Sequence, residues 1–551
     1  MIARKPINPA SNQDAEIGTA TRTVAGLTLV SRVLGLVRDL VTVRVFGDTA
    51  VGSAFAAAFA IPNMFRRLFG EGALSAAFIP EYTRLADSDK DEADAFASLT
   101  IGMLALVTGL LTILIEIALL GVILLSSDAP ERVYSLKLVM VMMPFMPLIC
   151  IAAILGGMLQ SHNRFGPWAA APILLNLCII AAALPYFLLD NADARTWAYP
   201  IGIAAVFSAL LQVLWSMHAL RGMVRWTRLV RSARDRTRVM LRRMIPVIIG
   251  LGTLQLNTFA DTLIAMYPNW FGPTLLGRPY PLDESSNAIL FYAQRLYQFP
   301  LGVFGIAVAT AAFPTLSRHA NNPGVFASTL RRGIRLSLYI GLPATIGLWL
   351  VRTPMIETLY GHGGFSADGI ARASIVLAGY SVAIWAYSLN QLFTRAFYAT
   401  GNTRTPMTIA IGAVLLNLTL NLTLIWRFRE AGLAFSTAIS AVAQSVVLGF
   451  ASRRLVGGQP LLDADLVRGL LRILSGCLIM GSATLGVIWA MGKPASWAQN
   501  AGTLAAATIV GAAIYGFWSI STRMPELRWL LARSTTAGGT IKEHTDEQHT
   551  P

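Results

Sequence analysis

The 551-residue chain is poor in charge, in lysine and in cysteine. Only 13% of it is Asp, Glu, Lys or Arg, against roughly 25% in an ordinary soluble domain. That scarcity excludes a soluble enzyme, a coiled coil and a disordered chain. Cys150, Cys178 and Cys477 lie in apolar runs and form no C-x-x-C pair. Neither a disulfide scaffold nor a zinc module is indicated. A Walker A sequence is missing, so ATP is not the direct energy source. No H-E-x-x-H or G-x-S-x-G occurs in a convincing setting, so nothing points to a hydrolase or glycosyltransferase.

What the chain has instead is apolar length. Mean hydropathy is +0.58, and 55% of the residues are hydrophobic without counting the 46 glycines. Crossing the hydrocarbon core takes about 20 apolar residues. Stretches free of charge cover 138–163, 165–189, 196–220, 296–317, 373–394, 405–426, 431–452, 473–492 and 494–522. Charge-interrupted spans fill 25–45, 50–70, 97–125, 244–267 and 333–351. The expectation is an all-α polytopic membrane protein with fourteen transmembrane helices. The first span follows about 24 polar residues, contains arginines and lacks an A-x-A site, so it does not read as a cleavable signal peptide.

Charge is distributed unevenly between alternate loops. The net charge is +15, and only five of the 44 basic residues are lysine. Nine arginines crowd 221–243, and Arg4, Lys5, Arg318, Arg331, Arg332, Arg404, Arg453 and Arg454 fall on the same side. The opposite loops carry Asp128, Glu131, Asp190, Asp193, Asp283, Glu284, Glu357 and Asp368. By the positive-inside rule both termini are cytoplasmic. The basic excess therefore marks topology rather than nucleic-acid binding. The 221–243 arginines suit a topology anchor or contact with anionic lipid. The polar tail 534–551 reads as disordered.

The sequence also repeats itself. Leu174-Leu175-Asn176-Leu177 follows Asn163-Arg164-Phe165-Gly166-Pro167, and Leu415-Leu416-Asn417-Leu418 follows Asn402-Thr403-Arg404-Thr405-Pro406. Ala77-Phe78-Ile79-Pro80 matches Ala312-Phe313-Pro314, and Phe96-Ala97-Ser98 matches Phe326-Ala327-Ser328. The common order and similar offsets argue for duplication. The expected organisation is an N-terminal segment (1–24), a six-helix lobe (25–220), the arginine loop (221–243), a second six-helix lobe (244–452), two added helices (466–522) and a cytoplasmic tail (523–551). Two pseudo-symmetric lobes around a central cavity suit a transporter.

Several charges lie where lipid should be. A charge at the bilayer centre costs about 2.5–3.5 kcal/mol on insertion scales. Arg32, Arg38 and Asp39 fall in the first span, Asn63, Arg66 and Arg67 in the second, and Arg295 at the start of the eighth. Such arginines face one another or a wet cavity, which is then cationic. A planar guanidinium fork suits phosphate, so an anion is the expected cargo. Asp261, which follows Gln255 and Asn257, and the same-face pair Asn417 and Asn421 could supply oxygens to a hard cation or bond between helices. Glu116 suits a pairing residue or a proton site.

The run Ser31-Arg32-Val33-Leu34-Gly35 through Arg38-Asp39, then Phe46-Gly47, Pro62-Asn63, Arg66-Arg67, Glu71-Gly72-Ala73 and Phe78-Ile79-Pro80, closely resembles the start of the MurJ/MviN family. These are lipid II flippases of the multidrug/oligosaccharidyl-lipid/polysaccharide exporter superfamily. Tyr292-Ala293, Arg295-Leu296 and Pro300-Leu301-Gly302-Val303 resemble its eighth helix, and Gly401-Asn402-Thr403 with Thr405-Pro406 its loop after helix ten. The resemblance implies fourteen helices, lipid II as cargo and the bacterial inner membrane as location. Two rocking lobes would give alternating access, and moving an anion outward from a negative cytoplasm would let the membrane potential, with or without a coupling cation, drive it. The resemblance implies no catalysis, and cell-wall synthesis proteins as partners. It makes Arg32, Arg38, Arg66, Arg295, Ser31, Asn63 and Asp39 substrate-cavity residues. It makes Asp261, Asn417, Asn421 and Thr437 a sodium site, with Asn421 where relatives carry aspartate. Ser53, Gln294 and Gln298 also stand where relatives are often acidic, so the cavity should be more positive here. The alternatives are export of another lipid-linked saccharide and a non-transporting cell-wall scaffold.

Overall fold

The computed structural model describes residues 9–68, 74–126, 128–189, 192–301, 306–361, 363–494 and 496–531. The first half holds α1 (Pro9–Phe46), α2 (Ala50–Phe65), α3 (Leu74–Ser88), α4 (Lys90–Leu124), α5 (Pro130–Met142), α6 (Phe145–Ser161), α7 (Phe165–Ala183) and α8 (Ala194–Ala219). The second holds α9 (Arg234–Ala265), the short α10 (Tyr267–Phe271), α11 (Ser286–Pro300), α12 (Ile306–Arg318), α13 (Pro323–Tyr360), α14 (Ala367–Ser381), α15 (Ile384–Ala399), α16 (Arg404–Phe428) and α17 (Glu430–Ser452). Helices α18 (Ala464–Met491), α19 (Trp497–Ser521) and α20 (Pro525–Leu531) follow. Between α10 and α11, two-residue strands β1 (Thr274–Leu275) and β2 (Arg278–Pro279) pair antiparallel.

Helices dominate because lipid offers no partner for a backbone N–H or C=O, and a helix satisfies both internally. Their starts fall on the polar residues between apolar runs. Thr49, Asp89, Asn322, Ser366, Asp463 and Ser496 each accept a backbone N–H of the first turn of their helix. Large apolar side chains face outward as well as inward. Leu114 and Ile117 of α4, Leu478 of α18 and Phe517 of α19 are more than half exposed. The interior buries rings such as Phe46, Tyr82 and Phe96 and, among them, small residues such as Ala57, Ser208 and Ser436, which let helix backbones approach.

The two halves repeat one packing scheme. In the first, α1 packs on α7, α7 and α6 on α8, α4 on α6, and α2 on α5. In the second, α9 packs on α16, α16 and α15 on α17, α13 on α15, and α11 on α14. Interruptions recur as well. The α5/α6 break falls at Met143–Pro144 and the α14/α15 break at Val382–Ala383. Wide π-type turns follow α2 at 66–68 and α11 at 301, a feature frequent at functional sites.

Ten helical segments among the described residues are long and apolar enough to cross a membrane. Helix α1, the pair α2 and α3, helix α9, and the pair α11 and α12 are not among them. These are the elements that carry Arg38, Arg66, Asp261 and Arg295.

Three boundaries differ from the sequence reading. Residues 9–24 are already helical, as the start of α1. Helix α9 begins at Arg234, inside the stretch read as a loop. There Arg236 pairs with Glu81 of α3 at 3.1 Å and with Glu92 of α4, so the basic turn is docked rather than solvated. The tail contains α20, whose buried Glu526 pairs with Arg335 of α13 at 2.6 Å. Glu71, Gly72, Ala73, Gly302, Val303 and the tail from 532 lie outside the described residues.

Candidate functional site

Arg38 and Asp39 sit near the end of α1, where the helix meets α7 and α2. Adjacent residues point about 100° apart on a helix, so each meets a different neighbour. The guanidinium of Arg38 donates from Nε (3.1 Å) and Nη2 (2.6 Å) to Asp39 Oδ1. Its Nη1 donates to Asn176 Oδ1 of α7 at 3.0 Å, and its plane lies 5.4 Å from the Phe59 ring of α2. The other carboxylate oxygen of Asp39 faces the second half: Arg295 Nε of α11 is 3.8 Å from Oδ2. Arg295 rests 4.6 Å over Phe291, and its Nε has no hydrogen-bond partner among the described residues. Asp39 is thus a shared counter-ion between arginines of the two halves. In sequence, Arg295 showed no acidic neighbour within a turn. Its partner is 256 positions away, which local reading does not reach.

Beside this triad lies a cavity of about 760 Å³ of atom-free space, its open mouth included. Its wall comes from α2, α9, α11 and Tyr380 of α14. Asn63, Arg67, Asp261, Gln294, Arg295 and Gln298 line it. Arg38, Asp39, Phe59 and Phe291 line a smaller adjoining hollow. Of the expected cargo residues, Arg38, Asp39, Asn63 and Arg295 are therefore brought together. Arg66 Nε donates to Asn63 Oδ1 at 2.7 Å. Ser31 contributes its carbonyl to Asn176 Nδ2 at 3.0 Å. Arg32, nearer the start of α1, is exposed and is not among the residues lining either hollow.

The second polar cluster joins α9, α16 and α17. Asn421 Nδ2 donates to Asp261 Oδ1 (2.6 Å) and to Asn417 Oδ1 (2.9 Å), and Asn417 Nδ2 to Thr437 Oγ1 (3.2 Å). All four expected cation residues are therefore contiguous. The donor set of one carboxylate, two amide oxygens and one hydroxyl suits a hard monovalent cation. Asn421 Oδ1 is buried with no partner among the described residues, a spare oxygen in keeping with that fit. Asp261 also lines the main cavity.

One end of the bundle is shut between the halves. Where α1 turns into α2, Asp48 accepts the backbone N–H (2.8 Å) and the hydroxyl (2.6 Å) of Ser366, the N-cap of α14. Gly47, at φ +57°, abuts Gly364 so closely that a Cβ there would stand 2.0 Å from the Gly364 carbonyl oxygen. Asn287 Nδ2 of α11 donates to the Ser53 carbonyl of α2 at 2.8 Å, and Ser53 Oγ accepts Ala288 N–H at 3.0 Å. Trp270 Nε1 of α10 donates to Ser135 Oγ of α5 at 3.0 Å. At the same end, Arg372 of α14 bonds Asp283 at 2.9 Å and Glu430 at 2.6 Å. Burial alone would raise the Asp283 carboxyl, but hydrogen bonds from Arg372 and Ser285 outweigh it and hold Asp283 well below the usual carboxylate range.

Sequence reasoning missed Phe59, Phe291 and the Asp48–Ser366 latch. Asn176 carried a signal, since the internal repeat pairs it with Asn417.

A family model described as Lipid II flippase MurJ matches residues 42–499. A probable lipid II flippase MurJ of Haemophilus influenzae is 32% identical over 446 residues, covering 77% of this chain and 83% of its own. The lipid II flippase MurJ of Burkholderia cenocepacia is 28% identical, covering 79% and 83%. Among solved structures, a lipid II flippase MurJ in an inward closed conformation superposes with a TM-score of 0.73 at 23% identity, over 91% of this chain and 98% of that one. An inward-facing multidrug transporter of the MATE family gives 0.56 at 15% identity, over 79% and 94%.

Proposed function

The chain belongs to the lipid II flippase MurJ family, and from that premise we propose that it carries lipid II from the cytoplasmic to the outer face of the bacterial inner membrane by alternating access. The observation that carries the reading is the Arg38–Asp39–Arg295 triad, built from both halves beside a polar cavity. The cargo is a disaccharide-pentapeptide on undecaprenyl diphosphate. Its diphosphate replaces Asp39 as counter-ion to the two guanidiniums, with Arg66 and Arg32 on the approach. The sugar-peptide occupies the amide-lined cavity, and the lipid tail stays in the bilayer.

The recurring helix pairs support two six-helix lobes and fourteen crossings, once the four polar spans are added to the ten apolar ones. Both termini are then cytoplasmic, and the end shut by Asp48 and Ser366 is the outer one. In this form the cavity belongs to the inward half of the cycle. The basic segments and the tail stay on the cytoplasmic side, where cell-wall synthesis proteins meet them.

Outward movement of an anion is favoured by about 2.3 kcal/mol per charge per 100 mV, and the same field returns an empty cationic cavity. Collapsing the potential is expected to stop net lipid II movement; transport that continues unchanged removes the potential as driver. Asp261, Asn417, Asn421 and Thr437 hold a sodium ion that biases the lobes. Asp261→Asn is expected to abolish any sodium stimulation of lipid II transport. Equal sodium stimulation in wild type and variant refutes the site.

The function is tested by depleting a bacterium of its own lipid II flippase, supplying this chain, and measuring lipid II at the outer face. Restored arrival and growth are expected. A correctly inserted chain that restores neither points to another saccharide-lipid as cargo or to a scaffold.

A further inference from the structure

We propose that Asn176 is a positioning residue that fixes the Arg38 guanidinium for cargo and binds α1 and α7 into one moving unit. The proposal rests on the reading of Arg38 as a cargo ligand. Asn176 lies midway along α7 and is 4% exposed. Both ends of its amide are used on α1: Oδ1 accepts Arg38 Nη1 and Nδ2 donates to the Ser31 carbonyl, each at 3.0 Å. Ser31 and Arg38 are seven residues apart, two turns on one face. Gly35, midway between them, faces the amide, and a Cβ there would lie 3.7 Å from Asn176 Nδ2.

The consequence concerns the guanidinium plane. Arginine has five N–H donors. Asp39 takes Nε and Nη2 through a single oxygen, which leaves the plane free to pivot about that atom. Asn176 supplies the second point from another helix. When the diphosphate takes the place of Asp39, Asn176 keeps its one N–H, and the other four of the guanidinium meet the cargo in a fixed orientation.

The other half uses its matching asparagine differently. Asn417, the repeat counterpart of Asn176, bonds Asn421, which in turn bonds Asp261 of α9, the counterpart of α1. The same tether between first and fifth helices of a half thus holds a cation in one copy and an anion in the other.

A simple interhelical hydrogen bond is the competing role, and a double-mutant cycle separates the two. Lipid II binding and thermal unfolding are measured for the purified full chain in lipid nanodiscs as wild type, Asn176→Leu, Arg38→Ala and both together. Asn176→Leu alone is expected to weaken lipid II binding about tenfold and to have no further effect in the Arg38→Ala background. Independent, multiplying losses overturn the proposal and leave Asn176 a packing contact. If Arg38→Ala itself leaves lipid II binding intact, the cargo reading of Arg38 fails, and this inference with it. Should Asn176→Leu not insert, the same cycle with Asn176→Ser decides, because serine keeps polarity but cannot span both partners.

Discussion

Arg295→Ala is expected to abolish the rescue of a flippase-depleted cell while leaving the protein inserted and folded. Arg295 is the second half's contribution to the triad, and its Nε is held only by the 3.8 Å approach to Asp39. Little folding energy therefore depends on it. A charge-assisted hydrogen bond is worth about 1.5–3 kcal/mol, and a guanidinium can make two to a diphosphate. Losing both would weaken cargo capture by at least about a hundredfold. Arg38→Ala should act alike. Arg295→Lys keeps the charge but loses the planar fork, so partial rescue is expected. The readout is labelled lipid II at the outer face, normalised to membrane protein. Full rescue by well-inserted alanine variants would make the arginines structural and end the cationic-cavity mechanism.

Gly47→Val is expected to arrest transport with the outer end open. The backbone at Gly47 has φ +57°, which a β-branched residue adopts only under strain. A Cβ would also meet the Gly364 carbonyl at 2.0 Å. The strain belongs to the turn itself, but the clash with Gly364 is lost once the α1–α2 turn has left the loop before α14, so that part of the penalty falls only on the closed form. A ligand-free bias of about 3 kcal/mol would already hold more than 99% of molecules open. The check is labelling of an Asn287→Cys reporter by a membrane-impermeant maleimide, with Cys150, Cys178 and Cys477 replaced. Faster labelling is expected in the valine variant. Unchanged labelling with full rescue would show that the Gly47–Gly364 contact does not gate the cycle.

Sequence alone carried the helical class and pointed to most of the polar residues around the candidate site, because each has a local signal. Apolar runs mark spans, and an arginine among leucines stands out. Pairings were beyond it. Arg38 and Asp39 are adjacent, but nothing in their neighbourhood announces Asn176 on α7 or Arg295 on α11. The latch between Asp48 and Ser366 joins residues 318 positions apart, each ordinary for a turn. The arginine stretch read as a loop because its charges look solvated. Glu81 and Glu92, far back in the chain, let it continue as helix.

The polarity that makes α1 useful also makes it a poor recruit for the membrane. Arg32, Arg38 and Asp39 together raise its insertion cost by several kcal/mol, and it precedes every other described helix in the chain. Its main packing partner, α7, begins at residue 165, more than a hundred residues of synthesis later. Until then Arg38 has only Asp39 beside it and lacks the amide that completes its shell. Biogenesis must therefore keep α1 sheltered, at the insertion machinery or in the interface, while the polar pair α2 and α3 and two apolar crossings, α4 and α5–α6, are made. Helix α1, ahead of the other described helices in the chain, thus reaches its final place only after α7 has been made.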